Sequence, residues 1–110
     1  MECIDIAKVI SFSREKPRKV GLFRTERCQV DLYYLQPGQS QAPHVHEGID
    51  KVYYIVEGKG SFTIGGEERA LGKGEVALAP AKAEHGLENR GPGSLVMLVF
   101  VAPPLSEPRR

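Results

Sequence analysis

The chain has 110 residues, 41% of them hydrophobic and 26% charged, with 15 basic against 14 acidic residues. That length suits one domain of about 100–150 residues and leaves no room for a separate cofactor lobe. The near-zero net charge, with no basic stripe interleaved with aromatics, argues against nucleic acid as a partner.

Two cysteines, Cys3 and Cys28, can form at most one bridge and are expected as reduced thiols. The N-terminal stretch has no basic segment followed by a long apolar run, so no secretory signal is evident. The longest apolar run, 95–102, is far below the ~20 residues that a bilayer crossing needs. These features predict a soluble, cytoplasmic protein with no membrane partner.

Along the chain, 5–12 is ambiguous. Ile6, Val9 and Ile10 suit one face of a short helix, but their β-branched side chains also allow a strand. Short runs rich in β-branched and aromatic residues follow at 19–25, 28–36, 51–57, 60–65, 67–71, 75–79 and 94–102. Each reads as a strand, and Gly and Pro punctuate them. Gly65-Gly66 marks a hairpin turn, and Pro37-Gly38 marks another. Many short strands with regular turns predict an all-β barrel or sandwich. The expected domain spans 1–102. The tail 103–110, with three prolines and two terminal arginines, is expected to be extended and poorly ordered unless a partner subunit holds it.

The chain has three histidines, His44, His46 and His85. His44 and His46 form an H-x-H pair on an extended segment, so both rings project to one face. Neutral imidazole is a common ligand for divalent transition metals. An isolated H-x-H pair is a weak signal that more often marks two solvated or hydrogen-bonded histidines; the frame around it adds the information. Gly38 stands six residues before His44 and Gly58 twelve after His46, while Gly74, Pro80, His85 and Asn89 are spaced G-x5-P-x4-H-x3-N.

These two stretches, 38–58 and 74–89, resemble the paired signature motifs of the cupin family, G-x5-H-x-H-x(3,4)-E-x6-G and G-x5-P-x-G-x2-H-x3-N. The resemblance implies a double-stranded β-helix, or jelly-roll, barrel. It also implies that His44, His46 and His85 meet inside the barrel mouth around one divalent transition metal (Fe, Mn, Zn, Ni or Cu). Asn89 in that pattern fixes a turn.

Two positions depart from the family pattern. Counting back from Gly58, Lys51 occupies the place of the family's carboxylate ligand. Asp50 would fill it only by a one-residue slip, which turns a side chain to the opposite face. Lys51 cannot coordinate a cation. It either swings out to pair with a carboxylate, enters the pocket to hold an anion or act as acid or base, or replaces the metal's electrostatic role. The second departure is Lys82, where the pattern has glycine in a turn with positive φ.

Tyr33-Tyr34 and Tyr53-Tyr54 are adjacent pairs on predicted strands, so one ring of each pair faces the interior. Tyr34 and Tyr53 are the pocket candidates, whereas Phe62, Leu78, Met97, Val99 and Phe100 read as core. The sum is a small-molecule-binding cupin, expected as a homodimer. Metal-dependent transformation of a small, anionic organic substrate, with oxygen-dependent oxidation foremost and isomerase-like chemistry open, is one reading. A non-catalytic binding or accessory module is the other.

Overall fold

The structure, a computed structural model, describes residues 1–9 and 11–105. Ile10 and residues 106–110 of the expected tail lie outside the described residues. Nine strands occur among those described: β1 (Arg18–Arg24), β2 (Gln29–Leu35), β3 (Ser40–His44), β4 (Asp50–Glu57), β5 (Lys59–Ile64), β6 (Glu67–Gly72), β7 (Val76–Ala79), β8 (His85–Glu88) and β9 (Leu95–Ala102). They form a five-stranded sheet in the order β1-β2-β9-β4-β7 and a four-stranded sheet in the order β3-β8-β5-β6. Neighbouring strands pair antiparallel throughout both sheets.

Strand alternation divides the five-stranded sheet into two faces. Tyr33, Leu35, Tyr53, Ile55, Leu95, Met97, Val99 and Val101 are buried inward, against Phe62, Leu71 and Leu87 of the facing sheet. Truncating one of the larger of these to alanine should cost about 2–5 kcal/mol. On the outer face, Leu32, Tyr34 and Val96 form a second cluster beneath Ile6, Val9 and Phe12.

The N-terminal segment thus packs as a strap rather than a full helix. Among its described residues only Ile6–Lys8 is helical, a single 3-10 turn capped by Asp5, whose carboxylate accepts from the Ala7 N–H. Tertiary contacts outweigh local propensity here: the Tyr34 hydroxyl donates to the Val9 carbonyl at 2.8 Å, and the Phe12 ring meets Tyr34 edge-on.

The strap leaves part of the outer face open. Leu78 and Phe100 are not core, as the sequence suggested; they are 56% and 41% exposed. Cross-strand register sets them beside Val52, with Val76, Tyr54 and Leu98 in the next row. A strand that is apolar on both faces gives no parity signal to say which side is inside.

Residues 103–105 depart from the expected loose tail. The Arg24 guanidinium donates to the Leu105 carbonyl, and the Leu105 N–H donates to Gln29 Oε1. Leu105 packs against the inner core. Cys3 and Cys28 are both free and exposed. No helix among the described residues is long and apolar enough to cross a membrane.

Candidate metal centre

The site lies where β3 ends and β8 begins. His44 and His85 are direct cross-strand partners, and their ring centroids stand 4.3 Å apart. That closeness depends on Gly86. A Cβ there would meet the Gln41 carbonyl oxygen and the Pro43 nitrogen, both at 2.9 Å. His46 follows just beyond β3, 4.9 Å from His44 and 5.7 Å from His85 by ring centroids.

Its segment is pinned by the turn that precedes β8. The Lys82 N–H donates to the His46 carbonyl at 2.8 Å, and the Ala83 N–H donates to the Pro80 carbonyl. Lys82 sits at the third position of that turn with φ 74°. This is the left-handed place that the family pattern gives to glycine. The lysine adopts the strained conformation and the turn is kept.

The three histidines each offer a ligand atom, and these atoms all lie within 4.8 Å of one another. Two of the rings are oriented through Nδ1. His44 Nδ1 lies 3.0 Å from the Ala42 carbonyl, and His85 Nδ1 lies 3.0 Å from the Ala83 carbonyl. A carbonyl can only accept, so each contact selects the Nδ1–H tautomer and leaves Nε2 with its lone pair. The His85 Nε2 atom is buried without a hydrogen-bond partner. Such an orphaned acceptor is costly in an apolar interior, and a cation would satisfy it. The residues present therefore fit a divalent metal.

Electrostatics point the same way. Burial, then Lys51, His44, His85 and Lys19, hold His46 below the ordinary imidazole range. Burial also lowers His85, opposed by its bond to Ala83 and aided by His44 and Lys51. Both rings are thereby kept neutral and able to ligate near neutral pH.

Lys51 and Asp50 point in opposite directions, as neighbours on a strand must. Asp50 is exposed, and its Oδ1 accepts from the Ala81 N–H at 2.8 Å. Lys51 is 1% exposed and extends from the facing sheet into the barrel. Burial, reinforced by Lys19 and opposed by Asp31, lowers its pKa to about 8. Its Nζ donates to the Tyr33 hydroxyl at 3.4 Å.

The two tyrosine candidates part company. Tyr53 faces inward, 6.5 Å from His85 by ring centroids, and its buried hydroxyl has no hydrogen-bond partner. Burial, with help from Tyr33, raises its pKa. Tyr34 does not join the site: it anchors the N-terminal strap on the outer face. Its neighbour Tyr33 is the interior ring. Sequence reasoning missed that parity, because the polar Gln29 and Asp31 share the face of Tyr33 while the apolar Val30 and Leu32 share that of Tyr34; the cross-strand register to Lys19 reveals it only once the strands are paired. Asn89 is fully buried, donating to the Leu35 and Gly93 carbonyls and accepting from the Gly91 N–H. Its place is structural.

Fold and site together define a jelly-roll barrel with a histidine cluster at its mouth that can hold a metal. A family model described as a cupin domain matches residues 31–101, and the chain belongs to that family. It is similar to the TT1209 protein of Thermus thermophilus, at 45% identity and TM-score 0.90, covering 94% of this chain and 98% of that one. A Klebsiella pneumoniae protein with a double-stranded β-helix domain superposes with TM-score 0.88 at 24% identity, covering 97% and 94% of the two chains. The likeness to that structure shows the fold alone. An oxalate-binding protein of Thermotoga maritima is 34% identical over 67 residues, covering 61% of this chain and 55% of that protein.

Proposed function

We propose that this cupin holds one divalent transition metal (Fe, Mn, Zn, Ni or Cu) through His44, His46 and His85, and binds and transforms a small organic anion beside it. The observation that carries this reading is the convergence of three imidazole ligand atoms within 4.8 Å, one of them a buried acceptor with no protein partner. The similarity to an oxalate-binding protein supports a small anionic ligand.

A bound metal would supply a Lewis-acid or redox centre for the ligand. The chain's own part is definable residue by residue. The Ala42 and Ala83 carbonyls fix the tautomers of His44 and His85. All three ligands are neutral, so the ion keeps its full charge for an anionic ligand. Lys51 brings a buried positive charge to the opposite wall, in the role of anion holder or proton donor. Tyr53 offers an unpartnered hydroxyl to the same interior.

A second reading, binding without turnover, is favoured by the outward-facing Asp50, which leaves Lys51 where a carboxylate base or ligand would stand. We further propose a cytoplasmic homodimer that pairs through the exposed Phe100, Leu78, Tyr54 and Val76.

Elemental analysis of tag-free protein tests the centre. The expected result is about one metal per chain, lost in both His44→Ala and His85→Ala, as a site needing all its ligands requires. No uptake by the wild type from a panel of divalent ions would overturn it. Turnover that disappears on chelation then separates the enzyme from the binding module.

A further inference from the structure

β3 carries a second inward side chain of a ligating type. Across to β8, Gln41 is paired with Leu87 and His44 with His85. Leu87 and His85 stand two residues apart, so both point inward, and both are buried. Gln41 and His44 stand three apart, which on a regular strand would turn them to opposite faces. A register shift between them restores the shared face. Gln41 and His44 are accordingly the two half-buried positions of an otherwise exposed strand. The shift is a β-bulge, a feature that re-aims side chains beside sites. Gly86 admits it, since a Cβ there would stand 2.9 Å from the Gln41 carbonyl oxygen.

The amide that the bulge turns inward is unsatisfied. Gln41 Oε1 is buried and no hydrogen bond reaches it. His85 Nε2 is in the same state on the neighbouring strand. Two orphaned acceptors thus share one wall, in adjacent rows about 6–7 Å apart along the strands. Side chains leaning to a point between the rows close that step. Each acceptor is costly while unmet. The buried Tyr53 hydroxyl could donate, but it has no partner and so reaches neither. A hydrogen-bond donor would meet one lone pair, whereas a cation meets several at once.

We propose that Gln41 Oε1 is a fourth protein ligand of the metal, brought to the histidine wall by the bulge in β3. The inference rests on the three-histidine centre proposed above and completes its ligand set. It supplies from β3 the oxygen that Lys51, an ammonium, does not supply from β4. An amide oxygen is a neutral, hard donor, so it joins three imidazole nitrogens without adding charge. The outward neighbour Ser40, paired with Glu88 and exposed, has no part in it.

The test measures zinc affinity by competition with a chromophoric chelator, and the visible absorption of the Co2+-loaded protein. Wild type is compared with Gln41→Leu, Gln41→Glu and Ser40→Ala. The expected result is zinc binding weakened about tenfold or more in Gln41→Leu, with an altered cobalt spectrum. Gln41→Glu keeps an oxygen at the same reach and should bind at least as tightly as wild type. Ser40→Ala should match wild type in both readouts. An unchanged zinc affinity or an unchanged cobalt spectrum in Gln41→Leu overturns the proposal. Metal-free Gln41→Leu should unfold at the wild-type temperature or above, because the orphaned oxygen contributes no bond. Should it unfold lower, Gln41→Glu decides: retained affinity upholds the ligand, and a loss equal to that of Gln41→Leu overturns it. If the wild type itself takes up neither zinc nor cobalt, the three-histidine centre fails and the fourth ligand with it. Uptake by wild type that is indifferent to Gln41→Leu sinks the fourth ligand alone.

Discussion

The two walls of the barrel mouth are built alike and charged oppositely in their needs. On the four-stranded sheet, His44 and His85 stand side by side with lone pairs turned inward, a site for a cation. On the five-stranded sheet, Lys51 reaches inward from the start of β4 and donates to the Tyr33 hydroxyl. Burial acts on both walls and lowers both kinds of pKa. For an imidazole that favours the ligating form. For a lysine it weakens, without abolishing, a charge. One physical cause thus has opposite consequences on the two walls.

The contrast is open to perturbation. Among changes to the two walls, the largest expected effect on stability comes from Lys51→Met. It removes a buried ammonium while keeping an unbranched apolar chain, and should stabilise the ligand-free protein by about 2 kcal/mol. Chemical denaturation checks it; a loss of stability would mean that the Lys51–Tyr33 contact outweighs the burial penalty. The sign has a pH signature. The unfolded lysine takes its proton near 10.5 and the native one near 8. The wild-type stability lost to this group therefore develops as pH falls from 10.5 to 8 and is constant below. In Lys51→Met that segment of the pH profile should flatten.

Lys82→Gly addresses the histidine wall. Relieving the positive φ should raise stability by about 0.5–1 kcal/mol in chemical denaturation. A loss of stability would mean that contacts of the Lys82 side chain outweigh the backbone strain.

The gentlest effect is on the metal-free histidines. Unfolded imidazoles protonate near 6.5, before the native His46 and His85. Stability should be flat just above that pH and decline as pH falls below 6.5 towards the native values. The decline should lessen in His46→Ala. A profile that rises on acidification would reverse the assigned shifts.

Much of the site is legible in the sequence because its spacing is local. An H-x-H pair on an extended segment puts two rings on one face whatever surrounds it, and Gly38 and Gly58 set its register. Lys51 follows by counting from Gly58, and the structure turns Asp50 outward as that count requires. The tyrosines are not all legible. In β4, the polar Lys51 and the glycine register supply a parity. In β2 the polar Gln29 and Asp31 share the face of Tyr33, and Val30 and Leu32 that of Tyr34, so the sequence points to Tyr34 as the interior ring where the structure has Tyr33. β7 and β9 are apolar on both faces and give no parity, which assigns Phe100 and Leu78 to the core although both lie on the outer face.

The sequence by itself determined the fold class, the family motifs and the residue types that can bind a cation. These rest on short-range periodicity and on the steric demands of particular turns. Only the tertiary structure decided that Lys19, which no local pattern singled out, meets Lys51 at Tyr33, and that residues 103–105 close against Arg24 and Gln29. Those contacts join separate elements, and the ones to Leu105 span 81 and 76 residues of chain. Their parity and register are settled by which faces pack together, and short-range periodicity carries no record of that.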